Sequence, residues 1–514
     1  MSVAVLTGIA FVGVLGVVAG AARPRRSVGM SDFHVAARAV PPWWNGAAIS
    51  SEFTSAAACL GTAGLIAAHG SPMLWYPAGA AAGFVLVLAL VVAPLRRSGT
   101  YTLPDFAEWR LGSARLRGFT TCFVLVIGLV LLVAQLHAAG AVVRLLTGLP
   151  PWLGWAAVAA AALGVAFAGE LGSVTSVQAA QFWLKLVVFL GVGAACWWAS
   201  GGRPPAGGAA WFEGAYRTGG AELAGAGDPS LPGVLAVLLA CALGTVGLPH
   251  VIVRVYTCSD GSGARRAIVA TQVMLAAFCV VPPLYGVLGH VHVRGAAADE
   301  MMLLLPARLL PGVVGEALTG LLAAGAFAAF LATTGGVLAA VGGAVSACVS
   351  RGGARGGARS FRAAVAAVMV AALAVTAATT PGASVPLMLL GFSLSAATFC
   401  PMLVLAIWWP RLTDAGVAAG IALGGGVTAA LVVAEQAGVW TGALTSCPAP
   451  VAVPAAFAGM IMISLVTPGR TPRGVGSMMG RMHLPEHLAG PPAHRSSHHE
   501  GRSSHEHSPY GDDY

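Results

Sequence analysis

The sequence predicts an all-α polytopic membrane protein of about 13 transmembrane helices built around a five-plus-five inverted-repeat core. Three observations predict it. Hydrophobic residues make up 57% of the 514 and charged ones only 9%, against roughly 25% charged in soluble domains. Windows of about 20 apolar residues, enough to cross a bilayer at 1.5 Å per residue, recur along the whole chain. Two of those windows, each opening a run of five, are interrupted by polar residues, glycine or proline.

In order, the apolar windows fall at 3 to 21, 45 to 69, 75 to 95, 119 to 147, 151 to 171, 174 to 198, 234 to 257, 267 to 291, 317 to 349, 363 to 380, 386 to 409, 415 to 434 and 451 to 467. The first is followed by Arg23, Arg25, Arg26 and Arg38, so it reads as an anchor whose C-terminal end faces the cytoplasm. With that orientation, the inside loops collect "RRSGTYTLPDFAEWRLGSARLRG", "RVYTCSDGSGARR" and "RGGARGGARSFR". The outside loops hold only Arg144, Arg203, Arg217, Arg294 and Arg308. The net charge of +9 is therefore a signal of topology in the lipid bilayer and needs no nucleic-acid partner. The expectation is a multi-pass plasma-membrane protein with its N-terminus outside.

Four regions follow. Residues 1–30 form an extra N-terminal helix and its basic stop, 31–409 the transport core, 410–467 two further helices, and 468–514 a disordered, His-rich cytoplasmic tail. In the tail, His498, His499, His505 and His507 lie close together, but low-complexity sequence explains them without a metal. Nine cysteines stand singly, mostly within helices, and read as small buried hydrophobes. The outside stretch "MMLLLPARLLPG" is expected to form a short helix at the mouth of the bundle. No nucleophile, base and metal converge anywhere, so the chain reads as a transporter and not an enzyme.

Polar residues inside lipid are costly and mark sites. "NGAAISSEFTSAAACLG" places Ser50, Ser51, Glu52, Thr54 and Ser55 side by side in the second window. A break in the helix would expose carbonyl oxygens fit for a small hard cation; hydroxyls bonding back to their own helix are the alternative. "GTVGLPHVIVR" in the seventh window carries Gly244, Gly247 and Pro249, a second break or a plain proline kink. "FLATTGG" in the ninth offers Thr333 and Thr334 beside glycines that permit close helix approach. Because five is odd, windows two to six and seven to eleven run with opposite topology, as in inverted-repeat transporters.

From about Phe33 to Val466 the chain resembles the sodium:solute symporter family, and within it the cation/acetate symporters of short monocarboxylates. The likeness is carried by "DFHVAARAVPPWWNGAAISSEFTSAAACLGTAGLIAAHG", "PLRRSGTYTLPDFAEWRLG", "GELGSVTSVQAAQFW" and "GTVGLPHVIVRVYT". The resemblance implies an amino-acid-transporter-like fold and a sodium ion between the first and eighth helices of the repeat. By position, its ligands are the main-chain oxygens of Ser50, Phe53 and Ala332 and the hydroxyls of Thr333 and Thr334. Relatives usually carry aspartate where this chain has Glu52, so Glu52 is the candidate coupling residue and a proton the alternative to sodium. A small carboxylate would be held by free amides near Gly247 and by Gln135 and Thr245, with packing the alternative role for the two side chains. Acetate, propionate or pyruvate is the expected substrate class. An amino acid, sugar or vitamin, or a transporter-like sensor, is the alternative, and the oligomeric state is not readable. Glu170, His250, Arg254 and Glu435 are placed toward helix ends, where side chains reach the headgroups. His137 and Lys185 lie deeper.

Overall fold

The computed structural model describes residues 38, 40–168, 171–202, 231–293, 295–349, 353–379, 384–440 and 442–486. Within them run α1 (Pro42–Phe53), α2 (Ala56–His69), α3 (Ser71–Ser98), α4 (Leu103–Leu111), α5 (Ala114–Thr147), α6 (Trp152–Ala168), α7 (Leu171–Ala199), α8 (Leu231–Gly247) and α9 (Pro249–Val255). They continue with α10 (Gly261–His292), α11 (Ala298–Leu309), α12 (Val313–Val349), α13 (Gly353–Ala378), α14 (Ser384–Trp408), α15 (Asp414–Gln436), α16 (Ala449–Val466) and α17 (Val475–His483). Nine helices among the described residues are long and apolar enough to span a membrane, and α8 with α9 forms a tenth, bent by 43°. The window at 3 to 21 and the histidines of the distal tail lie outside the described residues.

Both interrupted windows are broken. α1 stops at Phe53 and α2 restarts at Ala56, and α8 gives way to α9 at Leu248, whose φ of −60° and ψ of 115° are extended. Proline at position 249 is tolerated there because the first turn of α9 has no donor to lose. Each broken element opens a run of five spans, α1/α2 with α3, α5, α6 and α7, and α8/α9 with α10, α12, α13 and α14. This is the five-plus-five architecture, with α15 and α16 appended.

The burial gradient shows which helices form the centre. The apolar windows of α12 and α14 are 94% and 83% buried, whereas those of α13, α15 and α16 are only 33%, 28% and 33% buried and turn outward. Glycine allows the central contacts. A Cβ on Gly336 of α12 would meet the Glu52 carboxyl carbon at 2.4 Å, and one on Gly64 of α2 would meet the Ala298 oxygen at 2.2 Å. The expected mouth helix is α11, and its Met301, Met302, Leu303 and Leu305 are buried against the bundle.

On the side expected to be cytoplasmic, Asp260 caps α10 by accepting from the amide of Gly263. That bond, helped by the Ser262 hydroxyl, holds its carboxyl down at about 2. A carboxylate depressed in the fold adds stability above its unfolded value of about 4, and this is lost as pH falls through the folded value.

One expectation is corrected here. Residues 475–483, expected within a disordered tail, form α17, whose Met482 is fully buried. Its end is tied to α3 by Arg97, which pairs with Glu486 and donates to the carbonyls of Met482 and His483. Composition alone hid this, because the helix is stabilised by a docking surface distant in sequence.

Gly64→Val should lower stability by about 1–3 kcal/mol through overpacking against α11, read as a lower melting temperature in detergent. Gly164→Ala, where an added Cβ meets nothing within 4 Å, should be neutral or raise it.

Candidate functional site

The break in α1 explains its hydroxyls. Thr54 ends the helix, its amide and its hydroxyl both donating to the Ser50 carbonyl at 3.0 and 2.6 Å. Ser55 then caps α2 by accepting from the amide of Ala58 at 3.0 Å, the usual role of an N-cap serine. The amide of Ser55 donates to the Phe53 carbonyl. The remaining carbonyls are met from other helices. Thr333 of α12 donates to the Glu52 carbonyl at 2.7 Å, and Lys185 of α7 donates to the carbonyls of Ser51 and Thr54 at 2.6 and 2.7 Å.

Glu52 and Arg254 form an ion pair with both side chains fully buried. The guanidinium donates to Glu52 Oε1 from Nε at 2.8 Å and again from a terminal nitrogen. It also donates to Thr175 Oγ1 at 2.6 Å and to Gln178 Oε1. Gln178 in turn donates to the Ala332 carbonyl at 2.9 Å, and Asn45 donates to the Arg254 carbonyl at 2.9 Å. Such a pair relies on further hydrogen bonds away from water, and Glu52 Oε2 is left without one. Arg254 and His250, expected at the headgroups, are instead buried at 0% and 4% exposure. The break before α9 turns this short helix inward and carries both residues with it. Glu435 lies near the end of α15 and accepts from Ser446, Glu170 lies outside the described residues, and His137 bonds Thr379 at 2.7 Å.

Beside the ion pair lies a small cavity. Phe53, Leu131, Leu248, Met388 and Phe392 make its apolar wall, while Glu52, Ser55, Gln135, His250 and Thr333 supply its polar groups. Gln135 is fully buried, yet neither its oxygen nor its nitrogen has a hydrogen-bond partner. Buried amides are rarely left so.

The expected site residues divide accordingly. Phe53, Glu52, Thr333 and Gln135 line the cavity. The Ser50, Phe53 and Ala332 carbonyls accept hydrogen bonds within the protein, and the buried Thr334 hydroxyl has no partner. Thr245 and Gly247 do not line the cavity. The Thr245 hydroxyl is bonded to the Cys241 carbonyl, and Gly247 packs against Ser395 and Cys400 of α14.

Lys185, Arg254, Thr175 and Gln178 had not been assigned to the site. A signal existed for part of this group, because Gln178 and Lys185 lie seven residues apart and so share one face of α7. Among the described residues, no three His, Cys, Asp or Glu side chains gather as a metal site.

The family model described as the sodium:solute symporter family matches residues 33–424. The chain belongs to the sodium:solute symporter family. It is 26% identical over 469 residues to the uncharacterized symporter YwcA of Bacillus subtilis (strain 168), covering 87% of each chain. An uncharacterized symporter of Cupriavidus necator is 34% identical over 171 residues, 32% of this chain and 25% of its own length. Among solved structures, a sodium-coupled sialic acid symporter in its substrate-bound outward-open state superposes with a TM-score of 0.74 at 12% identity, over 90% of this chain and 98% of that one. A manganese transporter of Eremococcus coleocola gives 0.56 at 12% identity, over 88% and 98%. These likenesses show the fold, a helical transporter core shared across different cargoes.

Arg254→Met leaves Glu52 buried and uncompensated and should cost about 3–5 kcal/mol, seen as a large drop in melting temperature. Pairing it with Glu52→Gln should restore most of that loss.

Proposed function

We propose that this sodium:solute symporter family member moves a small monocarboxylate, such as acetate, propionate or pyruvate, together with a monovalent cation by alternating access. The observation that carries the reading is the cavity around Gln135. Apolar side chains line one side of it, and the unpartnered Gln135 amide on the other can donate to a carboxylate. The charges nearby agree. Arg254 and Lys185 place two basic side chains around the single carboxylate Glu52 at the break, which supports an anionic solute.

The solute would lie between the broken ends of α1/α2 and α8/α9, which contribute Phe53, Ser55, Leu248 and His250. Rocking one repeat against the other exposes such a central site to each side in turn. Sodium is the cation the family points to first, with Thr333 and Thr334 as candidate ligands, a proton is the alternative, and Glu52 is the neighbouring carboxylate.

The test is uptake of labelled acetate into proteoliposomes with a competition panel. Propionate and pyruvate should compete, while competition by proline or glucose alone would favour another solute. Gln135→Leu should raise the KM for acetate by roughly 10- to 100-fold, since hydrogen bonds to a charged group contribute about 1.5–3 kcal/mol. Total transporter in the membrane should not change.

A further inference from the structure

Lys185 stands midway along α7 and is fully buried. Its Nζ reaches the carbonyl oxygens of Ser51 and Thr54 at 2.6 and 2.7 Å, three residues apart across the break of α1. The ring of Phe278 lies beneath it, with its centroid 5.8 Å away. Glu52, whose charge also acts on Lys185, makes its direct ion pair with Arg254 instead. Carbonyl oxygens released by a broken membrane helix are a seat for a monovalent cation. Here that seat is filled by an ammonium tethered to α7.

We propose that Lys185 is the resident coupling cation of this transporter: its ammonium stands where a free ion would sit at the break, and the ion that travels is the proton it gains and gives up. The inference rests on the reading of the chain as a cation-coupled symporter and names the cation. A sodium ion at these two oxygens would stand against the like charge of the ammonium, and the carbonyls expected to bind sodium, those of Ser50, Phe53 and Ala332, already accept hydrogen bonds within the protein.

The step balances. Open to the outside, the amine takes one proton from water and becomes an ammonium that grips Ser51 and Thr54. The residues on either side of Thr54, Phe53 and Ser55, line the solute cavity, so that grip sets the cavity for a carboxylate. Open to the inside, the ammonium returns its proton to water, the carbonyls lose their charged donor, and the carboxylate leaves. One proton and one carboxylate cross together with no net charge.

The titratable groups whose charge acts on Lys185 are Glu52 of α1 and Cys59 of α2. Glu52 is engaged by Arg254 of α9, which also acts on His250, and Cys59 is influenced by Cys279 of α10. Among the described residues, α11 and α12, which also pack on α7, bring no charged group to bear on it.

The test uses the full chain in proteoliposomes, with uptake into protein-free liposomes subtracted because undissociated acetic acid crosses lipid unaided. An acid-outside gradient in choline buffer should drive labelled acetate accumulation, and replacing choline by sodium should not raise it. Lys185→Arg keeps a cation that does not deprotonate. It should hold the melting temperature and the stabilisation by acetate, yet lose accumulation to the protein-free level. Lys185→Met should lose accumulation as well.

Three outcomes overturn the inference: accumulation that requires sodium, a melting temperature of the native chain that rises in sodium over choline, or native-like accumulation by Lys185→Arg. Acetate uptake absent under both gradients would sink the monocarboxylate reading instead. The sodium melting measurement needs no solute, so it still decides between the ions.

Discussion

A backbone that unwinds inside an apolar medium leaves carbonyl oxygens that no water can satisfy, and each must find a donor within the protein. The interruption of α1 between Phe53 and Ala56 sets this constraint, and much of the central bundle answers it. Thr54 closes the helix on itself and Ser55 opens the next one. The oxygens left over draw in Thr333 from α12 and Lys185 from α7. Two helices far apart in sequence are thereby held against the same short segment.

The charges follow from the same arrangement. A lysine used as a donor in the core brings a positive charge with it, and Arg254 brings another. Glu52 answers only one of them, through a pair whose surrounding bonds come from Thr175 and Gln178. The break thus links backbone satisfaction to the electrostatics of the core. It also gives the two halves of the molecule a shared element, because α1 contacts helices from both repeats, α7 from the first and α10 and α12 from the second.

Much of the fold was legible, for physical reasons that act locally. Lipid demands about 20 apolar residues per crossing, so the windows stand out, and arginines on one set of loops order them. The breaks were legible because proline, glycine and clustered hydroxyls are poor company for a continuous helix. The site was legible in part. Glu52 and Gln135 are costly in lipid and draw notice singly. Arg254 was misplaced because distance from the helix end, read along the chain, says nothing about the direction in which a broken helix turns. Thr245 looked available for a solute, but its hydroxyl is satisfied one turn back along its own helix.

What the sequence by itself determined is the membrane class, the order of the helices, the two interruptions and the family, since each is written in composition, charge asymmetry or contiguous motifs. Only the tertiary structure decided which donors meet the carbonyls of "NGAAISSEFTSAAACLG". Lys185 lies more than a hundred residues from Ser51, and Arg254 about two hundred from Glu52. No local rule links them, because their pairing depends on which faces of α7, α9 and α12 the packed bundle turns toward the break.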